Sequence, residues 1–504
     1  MAFCAPPKYR FTHLKPSTST HVVLEAPELL PLTGHDDVFL YTRCSPHFAA
    51  VSKVWNWNNT AEPLAVARCF SISAVQRVIR FCSGQTPNGQ QAGRQMPFVV
   101  RSGGHDAFNR STIQHGLMLD VRGLDSITLS SDRQSVTIGG GVSGGNLINF
   151  LDEHGLITPS GYCNTVGYVG WAAGGGYGVL AGPYGLGVDQ ISGATLVDAK
   201  GNLVDTDSDP NLLWALRGAG TGNFGVVVSM RVKVYERPPY LGGMILFPGS
   251  EIGQVMTGLQ QVTEEVGSPD EFSGDCTVGQ MPGLGAVVAI IFSWAQRHGC
   301  GSDPLKRARE VLSRCEGLGT VLLNTVDETT PVALMSTMQP MTSAPMKARM
   351  QTFTVSGLSK KLAAILAQSP VPSNSSMVII HRSHGAATYP HSTHCEDPVT
   401  STSCMPNRKP HTILCITGST VPGGEGGIPE TPGEYKKVSA WVEEISQRIV
   451  QSGIALPRTY VSWTTNEEAD TRRLYGDKIA ERLKDLKRIY DSHNLFSTAY
   501  PSLA

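Results

Sequence analysis

A histidine follows two adjacent glycines directly after a predicted strand. Residues 101–105 read RSGGH, and the strand before them ends at Val100. Adjacent glycines adopt positive φ without steric cost, so successive backbone amides can point at one anion. A pyrophosphate is therefore the predicted occupant of this segment.

A second glycine-rich region surrounds a single cysteine. Residues 160–170 read SGYCNTVGYVG, with the cysteine at position 163, and GGGYG follows at residues 174–178. Glycine lets the backbone approach a ligand closely because it has no side chain. This density of glycine predicts backbone packed against a flat ligand.

A third region contains GxGxxG from Gly220 to Gly225. In a dinucleotide-binding fold this motif follows a strand and opens a helix. Here it follows a predicted helix and leads into a predicted strand at residues 226–234. The order of elements excludes a Rossmann site.

Histidines cluster in the second half of the chain, at His381, His384, His391 and His394, beside Cys395. The spacing HxxHC could bring two imidazoles to one metal ion. Prolines at 390 and 398 instead indicate a loop, and no HExxH-like general base accompanies the cluster. We expect no metal; hydrogen-bonded histidines and a part in substrate binding remain the alternatives.

Strands and helices alternate around the glycine segments. Residues 63–67 and 98–100 are predicted strands, and Ser73 is predicted to cap a helix that runs through Phe81. This order is typical of an α+β or α/β unit. Residues 1–60 are expected to be irregular, and residues 422–434 have the composition of an exposed loop.

The pattern changes near residue 240. Residues 244–247 and 286–292 are predicted strands, and residues 304–315 a helix. Residues 471–490 have the apolar spacing of a helix that packs on the first lobe. The chain is therefore expected to form two lobes joined near residue 240.

Length and composition agree with two lobes and limit the partners. A chain of 504 residues is too long for one ordinary core. A net charge of -1 argues against nucleic-acid and anionic-lipid partners. The longest apolar stretch is about half of a membrane span, and no secretory leader is visible. We expect a soluble protein, with a cytoplasmic location favoured, that binds small molecules and neither nucleic acid nor a membrane.

The three glycine-rich segments together resemble the FAD-linked oxidases of the vanillyl-alcohol oxidase superfamily, in the berberine-bridge-enzyme-like group. The resemblance rests on RSGGH, GYCNTVG, GGGYG, Asp189 and WALRGAGTGNFGVV, and it returns near the C-terminus at residues 475–476 and 490–496. It implies an α+β fold with a PCMH-type FAD-binding domain and a substrate domain whose antiparallel β-sheet is covered by helices. The boundaries expected are an N-terminal extension at 1–60, the FAD domain at 61–238, the substrate domain at 239–455 and a C-terminal segment at 456–504.

The resemblance also implies how the cofactor is held. In the family, the histidine of RSGGH and the cysteine of GYC bond the flavin ring at its 8α and C6 positions, and here these residues are His105 and Cys163. Imidazole and thiolate can both supply the nucleophile near neutral pH. Without this context, a loop histidine and a small buried cysteine would be the ordinary interpretations.

The remaining cofactor contacts are carried over position by position. Ser462 stands where the family commonly has asparagine close to the flavin, which leaves the positioning of the ring open. The residues expected to bind FAD are Arg101, Ser102, Gly103, Gly104, His105, Gly161, Cys163, Thr165, Gly167, Gly170, Gly175, Tyr177, Gly178, Asp189, Gly225, Val226 and Ser462.

The family takes its proton acceptor from a central strand of the substrate domain. The matching stretch, residues 377–387, contains no carboxylate, and strand alternation places Ile379, His381 and Ser383 on one face. His381 is therefore the first candidate for the base, with Tyr389 and Glu396 on the following loop as alternatives. Tyr168 is expected to lie against the ring and to slow its reaction with oxygen.

The resemblance implies hydride transfer to flavin N5 and reoxidation by molecular oxygen. A secondary-metabolite-type substrate is favoured. The alternatives are a carbohydrate oxidase, a redox-neutral cyclase or isomerase that retains FAD, and a binding protein on a retired oxidase fold.

Overall fold

The first sheet of the protein joins the N-terminal region to the RSGGH segment. The computed structural model describes residues 15–58, 61–85, 93, 95–220, 222–265, 269–297, 303–342, 344–388, 401–421, 432–457, 460–465 and 470–504. The sheet has four strands, in the order Val38–Tyr41, Ala65–Cys69, Leu117–Asp120 and Phe98–Arg101. The first pairing is antiparallel and the other two are parallel.

The expectation that residues 1–60 are irregular is wrong for the described part. Helices span Ser19–Glu25 and Phe48–Ser52, and the strand Val38–Tyr41 extends the first sheet. Val22, Leu29 and Leu40 are buried in the same core as the strand Ala65–Cys69. The described part of this region therefore belongs to the hydrophobic core of the first sheet.

A second sheet carries the end of the GxGxxG region. Its five strands are antiparallel, in the order Ile127–Leu129, Ser135–Gly139, Val226–Lys233, Ile191–Val197 and Leu203–Asp205. The helix Pro210–Ala219 precedes Gly220, and a strand follows Gly225. Helix before motif and strand after it confirm that the motif is not a Rossmann fingerprint.

The large sheet of the second lobe is antiparallel. Seven strands follow in the order Leu323–Asn324, Tyr240–Pro248, Gly285–Ala295, Asp275–Met281, Met377–Ser383, His411–Thr420 and Lys347–Val355, and Asp327–Glu328 also pairs with the second of them. Within Met377–Ser383, Val378 and Ile380 belong to the main core of this lobe. The side chains that alternate with them face away from that core, as the sequence predicted.

Helices cover these sheets. The α-helices beyond those already given are Ile72–Cys82, Gly144–Glu153, Tyr168–Ala173, Ala181–Tyr184, Gly187–Gln190, Ile252–Glu265, Lys306–Glu316, Pro331–Thr342, Lys360–Ala367, Pro432–Ser452, Thr471–Tyr475 and Asp477–Tyr490. These elements and the antiparallel sheet give the α+β architecture that was expected. No helix in the described ranges is long and apolar enough to cross a membrane.

Two helix termini differ from the sequence prediction. The helix Ile72–Cys82 is capped by Ser71 and not by Ser73: the Ser71 hydroxyl accepts a hydrogen bond from the Ala74 amide at 3.0 Å. Both serine hydroxyls also donate to Asp37. The predicted helix at 471–490 is two helices, separated at Gly476 with φ of 84°. A positive φ cannot continue a helix, so the chain turns there. Leu474, Ile479 and Leu483 still pack into the first lobe.

Two buried histidines predict a loss of stability in mild acid. Burial lowers the pKa of His384 to about 4, and burial also lowers the pKa of His411 to about 4. Both pKa values lie below that of an unfolded histidine, so the unfolded chain binds protons first. The stability that each contributes is complete above pH 6.5 and is lost as the pH falls towards 4. Between pH 7 and pH 5, we expect the free energy of unfolding to drop by about 2 kcal/mol per histidine.

Urea unfolding at these two pH values measures the effect. His411→Gln removes one of the two titrating groups. Its free energy of unfolding should therefore fall by about 2 kcal/mol less between pH 7 and pH 5 than that of the unmodified protein. An equal drop in both proteins would contradict the assignment to His411.

Candidate active site

A cavity of about 380 Å³ lies between the glycine segments of the first lobe and the large sheet of the second. The wall is mostly apolar, and it includes the predicted base together with most of the predicted cofactor residues. The predicted residues on the wall are Ser102, Gly103, Gly104, His105, Gly161, Cys163, Gly167, Gly170, Tyr177, Gly225, Val226, His381 and Ser462. Three glycine-rich segments that are far apart in sequence thus meet at one space.

His105 and Cys163 face the same part of this cavity. The Cys163 Sγ lies 4.0 Å from the Nδ1 of His105, and the Thr165 Oγ1 lies 2.7 Å from its Nε2. When Nε2 carries the proton and donates it to Thr165, Nδ1 keeps its lone pair on the side of the thiol. Two nucleophilic atoms are then adjacent at the cavity wall. Neither is deeply buried, so a ligand can reach both.

The segments that carry these two residues interlock through their glycines. A Cβ built on Gly103 would lie 2.3 Å from the Gly167 nitrogen, and one built on Gly167 would lie 2.4 Å from the Ser102 Oγ. No side chain fits at either position. Of the adjacent pair in RSGGH, Gly104 has a positive φ of 74°. Gly103 is instead required by the close approach of the two segments.

The wall leaves space where a flat cofactor would lie. Gly170, on the helix Tyr168–Ala173, lines the cavity, and a Cβ built there would meet no atom within 4 Å. Valines at positions 166, 169, 226 and 227 make the neighbouring wall apolar. A planar ring system fits such a surface, and the residues present are therefore compatible with a flavin.

Filling this space should block cofactor binding without unfolding the protein. We expect Gly170→Leu to fold normally but to lose FAD incorporation by at least about tenfold, because the new side chain occupies the cavity. Gly253→Leu is the matched control, since Gly253 also lies in a helix with no atom within 4 Å of its Cβ but does not line the cavity. The flavin content of purified protein and its melting temperature are the measurements. Normal flavin content in Gly170→Leu would show that the ring does not lie there.

Five residues predicted to touch the cofactor do not line the cavity. They are Arg101, Thr165, Gly175, Gly178 and Asp189. Arg101 is buried and donates to the backbone carbonyls of Val51 and Lys53. Asp189 binds Arg408 through both carboxylate oxygens, at 2.7 and 2.9 Å. Both side chains therefore tie segments of the protein together.

Thr165, Gly175 and Gly178 contact other parts of the protein and do not line the cavity. Thr165 contacts His105, as described above. A Cβ on Gly175 would lie 2.6 Å from the Tyr460 ring, and a Cβ on Gly178 would lie 2.0 Å from the Ser160 carbonyl oxygen. These two glycines permit close packing of protein segments, which is a structural role that glycine density alone does not distinguish from ligand contact.

The expectation that Tyr168 shields the ring is wrong. Its side chain is 1% exposed, lies in the core of the first lobe and donates to the Pro159 carbonyl at 3.1 Å. Tyr168 opens a helix, and its direction therefore differs from that of Gly170 two residues later. Val169, not Tyr168, lies on the cavity wall.

Ser462 lies on the wall beside an arginine that the sequence analysis did not identify. The Ser462 carbonyl accepts Arg110 Nη2 at 2.9 Å. Arg110 also pairs with Asp106 at 2.6 Å, and its guanidinium lies 3.8 Å from the centre of the Tyr500 ring. All four residues line the cavity. Asp106 and Arg110 therefore neutralise each other there.

His381 projects into the cavity from the centre of the large sheet. It is 3% exposed, and its Nδ1 lies 2.7 Å from the Oδ2 of Asp275 on the adjacent strand. The Tyr162 ring stacks on the imidazole at 5.3 Å and 11°, and the Trp463 ring lies at 5.5 Å and 29°. The imidazole is thus held by a carboxylate and two aromatic rings.

Tyr177 lines the cavity next to His381. Its hydroxyl lies 2.8 Å from the Nε2 of His411, whose Nδ1 lies 2.7 Å from the Lys409 carbonyl. A neutral His411 donates a hydrogen bond from Nδ1 to the Lys409 carbonyl and accepts one at Nε2 from the Tyr177 hydroxyl. This arrangement fixes the phenol, and burial raises the pKa of Tyr177, which keeps its hydroxyl protonated.

Tyr389 and Glu396 lie outside the described residues, as do His391, His394 and Cys395 of the histidine cluster. His384 is buried and does not line the cavity. Of the two cluster members that the structure describes, His381 is the one on the wall.

Several wall residues were not identified from the sequence. Trp55 lies with its ring 5.6 Å from that of His105, and the second lobe adds Met346, Met350, Met377 and Thr417. Tyr162 also lines the cavity, and its position next to Cys163 in the sequence could have indicated this. The others lie in strands and loops whose patterns do not differ from those of ordinary core segments.

Comparison with known proteins adds independent observations. A family described as "FAD binding domain" matches residues 63–207. The FAD-linked oxidoreductase aurO of Gibberella zeae is 33% identical over 468 residues, which cover 91% of this chain and 84% of that protein. The (R)-6-hydroxynicotine oxidase of Paenarthrobacter nicotinovorans is 36% identical over 224 residues, 44% of this chain and 47% of that protein.

Solved structures give the same result for the fold. The 6-hydroxy-D-nicotine oxidase of Arthrobacter nicotinovorans superimposes with a TM-score of 0.77 at 25% identity, over 93% of this chain and 98% of that one. Berberine bridge enzyme from Eschscholzia californica gives a TM-score of 0.76 at 17% identity, over 95% and 99% of the two chains. The likeness extends through both lobes.

Proposed function

Because this chain belongs to the FAD-linked oxidoreductases of the vanillyl-alcohol oxidase superfamily, in the berberine-bridge-enzyme-like group, we propose that it oxidises a small aromatic molecule, with a doubly attached FAD and with molecular oxygen as acceptor. One observation supports this most directly. His381 lies on the wall of the same cavity as His105 and Cys163. The proposed proton acceptor and the two proposed attachment residues thus line one cavity.

The wall of the second lobe favours an apolar, planar substrate. Its residues include Met346, Met350, Met377 and Ile379, with Thr417 as a neutral polar group. Among the described wall residues, the charged pair Asp106 and Arg110 is mutually neutralised. A carbohydrate would need many polar partners for its hydroxyls. The methionine-rich surface instead suits an aromatic ring of the kind found in secondary metabolites.

The residues of the chain divide the reaction between them. His105 and Cys163 would hold FAD, which accepts a hydride when bound and transfers the electrons to oxygen. His381 accepts the proton that the substrate loses with the hydride. Tyr162 and Trp463 keep the imidazole in one plane, and the apolar wall excludes water from the substrate.

Substrate screening with two detectors tests the proposal. Purified yellow protein is mixed with hydroxylated aromatic polyketides, with aromatic alkaloids and with oligosaccharides, and anaerobic bleaching of the flavin is recorded for each. Peroxide per product is then measured in air. We expect bleaching by one aromatic class and one peroxide per turnover. Bleaching by oligosaccharides alone would contradict the substrate class, and product without peroxide would indicate a redox-neutral reaction.

A further inference from the structure

A buried carboxylate lies behind the candidate base and outside the cavity wall. Asp275 is 2% exposed and begins the strand Asp275–Met281, which pairs with the strand of His381. Its Oδ2 lies 2.7 Å from His381 Nδ1 and 2.6 Å from the Tyr162 hydroxyl. Its Oδ1 accepts the Arg382 backbone amide at 3.0 Å. Each oxygen is therefore hydrogen-bonded.

This carboxylate is ionised at neutral pH. Burial by itself would raise the pKa of Asp275, but the nearby His381 and the hydrogen bonds from His381, Tyr162 and the Arg382 amide outweigh it and lower the pKa. An ionised carboxylate only accepts hydrogen bonds. His381 Nδ1 must then be a hydrogen-bond donor, so in the neutral imidazole the lone pair is on Nε2.

We propose that Asp275 is a positioning residue that selects the Nδ1–H tautomer of His381, so that Nε2 is the atom that accepts the substrate proton. The inference rests on the proposed function, in which His381 is the base. The substrate would lose a proton to Nε2 and a hydride for which bound FAD would be the acceptor, and the Nδ1 proton would stay in place. Asp275 takes up no proton and stabilises the imidazolium that forms.

Tyr162 links this pair to the cofactor segment. Its hydroxyl donates to the same carboxylate oxygen as His381, its ring stacks on the imidazole, and it precedes Cys163 in the chain. Arg382 contributes the one donor that cannot turn, because it is a backbone amide. The Tyr162 hydroxyl, in contrast, can rotate between donating and accepting.

This difference makes Asp275→Asn informative. The amide oxygen of asparagine must face the fixed Arg382 amide, so its NH₂ group faces His381 Nδ1 and donates to it. His381 then carries its proton on Nε2 and cannot act as the base. We expect flavin reduction to slow by roughly 10²–10⁴-fold with flavin content unchanged. A ¹⁵N-histidine spectrum should show that the His381 resonances exchange their protonated and unprotonated character, which is a readout independent of activity.

Tyr162→Phe is the matched control. It removes another hydrogen bond from the same carboxylate oxygen but leaves the tautomer unchanged, so its reduction rate should fall less than about tenfold. A double variant, Asp275→Asn with His381→Ala, should be no slower than His381→Ala alone, because both changes remove one function.

The outcomes separate this inference from the proposed function. If Asp275→Asn reduces its flavin normally, or keeps the original His381 tautomer, while His381→Ala is slow, the positioning role is wrong and the base stands. If His381→Ala reduces its flavin normally, the base assignment itself is wrong. A loss in Tyr162→Phe as large as that in Asp275→Asn would indicate general damage to the site and would contradict the inference.

Discussion

Replacement of His381 by alanine is expected to slow flavin reduction by roughly 10²–10⁴-fold while the flavin stays bound. His381 lines the cavity from the strand Met377–Ser383, and Asp275 holds its Nδ1. Removing the imidazole removes the proposed proton acceptor but none of the side chains expected to attach FAD. Anaerobic stopped-flow spectroscopy with a substrate from the screen measures the rate. Added imidazole should restore part of it, since the deleted ring leaves room for one.

His384→Ala is the matched control for this experiment. His384 is also a buried histidine, three residues further along the chain, but it does not line the cavity. Its rate per bound flavin should remain close to that of the unmodified protein. An unchanged rate in His381→Ala would transfer the role to another residue, and Tyr389 and Glu396 would be the next to replace.

Replacement of both His105 and Cys163 is expected to convert the flavin from permanently attached to fully releasable. With the proposed double attachment, both bonds must be cut to free the cofactor, so flavin absorbance should stay with the unmodified polypeptide after acid precipitation. Each single variant, His105→Ala or Cys163→Ala, should retain it through the other bond. The double variant should release nearly all of it into the supernatant.

Cys44→Ala is the control for the cysteine replacement, because Cys44 is exposed and does not line the cavity. Its flavin should precipitate with the protein. Mass spectrometry of the unmodified protein gives the second measurement, since attached FAD adds its mass to the chain. Full release from the unmodified protein would disprove covalent attachment. Release from His105→Ala would show that Cys163 forms no bond to the flavin, and release from Cys163→Ala would show the same for His105.

Local sequence predicted the features that depend on neighbouring residues. Strand alternation predicted Ile379 and His381 on one face and Val378 and Ile380 on the other, because side chains in a strand alternate whatever the partners. The structure places the first two on the cavity wall and the other two in the core. The order of elements around Gly220 likewise excluded a Rossmann site. Both inferences needed only the sequence within a few residues.

Features that depend on distant partners could not be predicted in this way. Asp275 lies 106 residues from His381, and nothing in its own strand indicates that the two pair. Glycine density showed that backbone segments approach something, but it could not show that Gly178 approaches the Ser160 carbonyl instead of a ligand. Tyr168 was assigned to the ring because it lies in a segment that the family packs against the flavin, but the turn of a short helix points it into the core. The domain boundaries expected at residues 60, 238 and 455 stay predictions.

The interlocked glycines at positions 103 and 167 have a kinetic consequence. Folding alone brings the two attachment segments together, since their backbones pack too closely for any side chain between them. Once a flavin is bonded to one residue, the other nucleophile is already near the ring at a high effective concentration. The second bond should therefore form faster than the first, and protein with a single attachment should not accumulate during maturation.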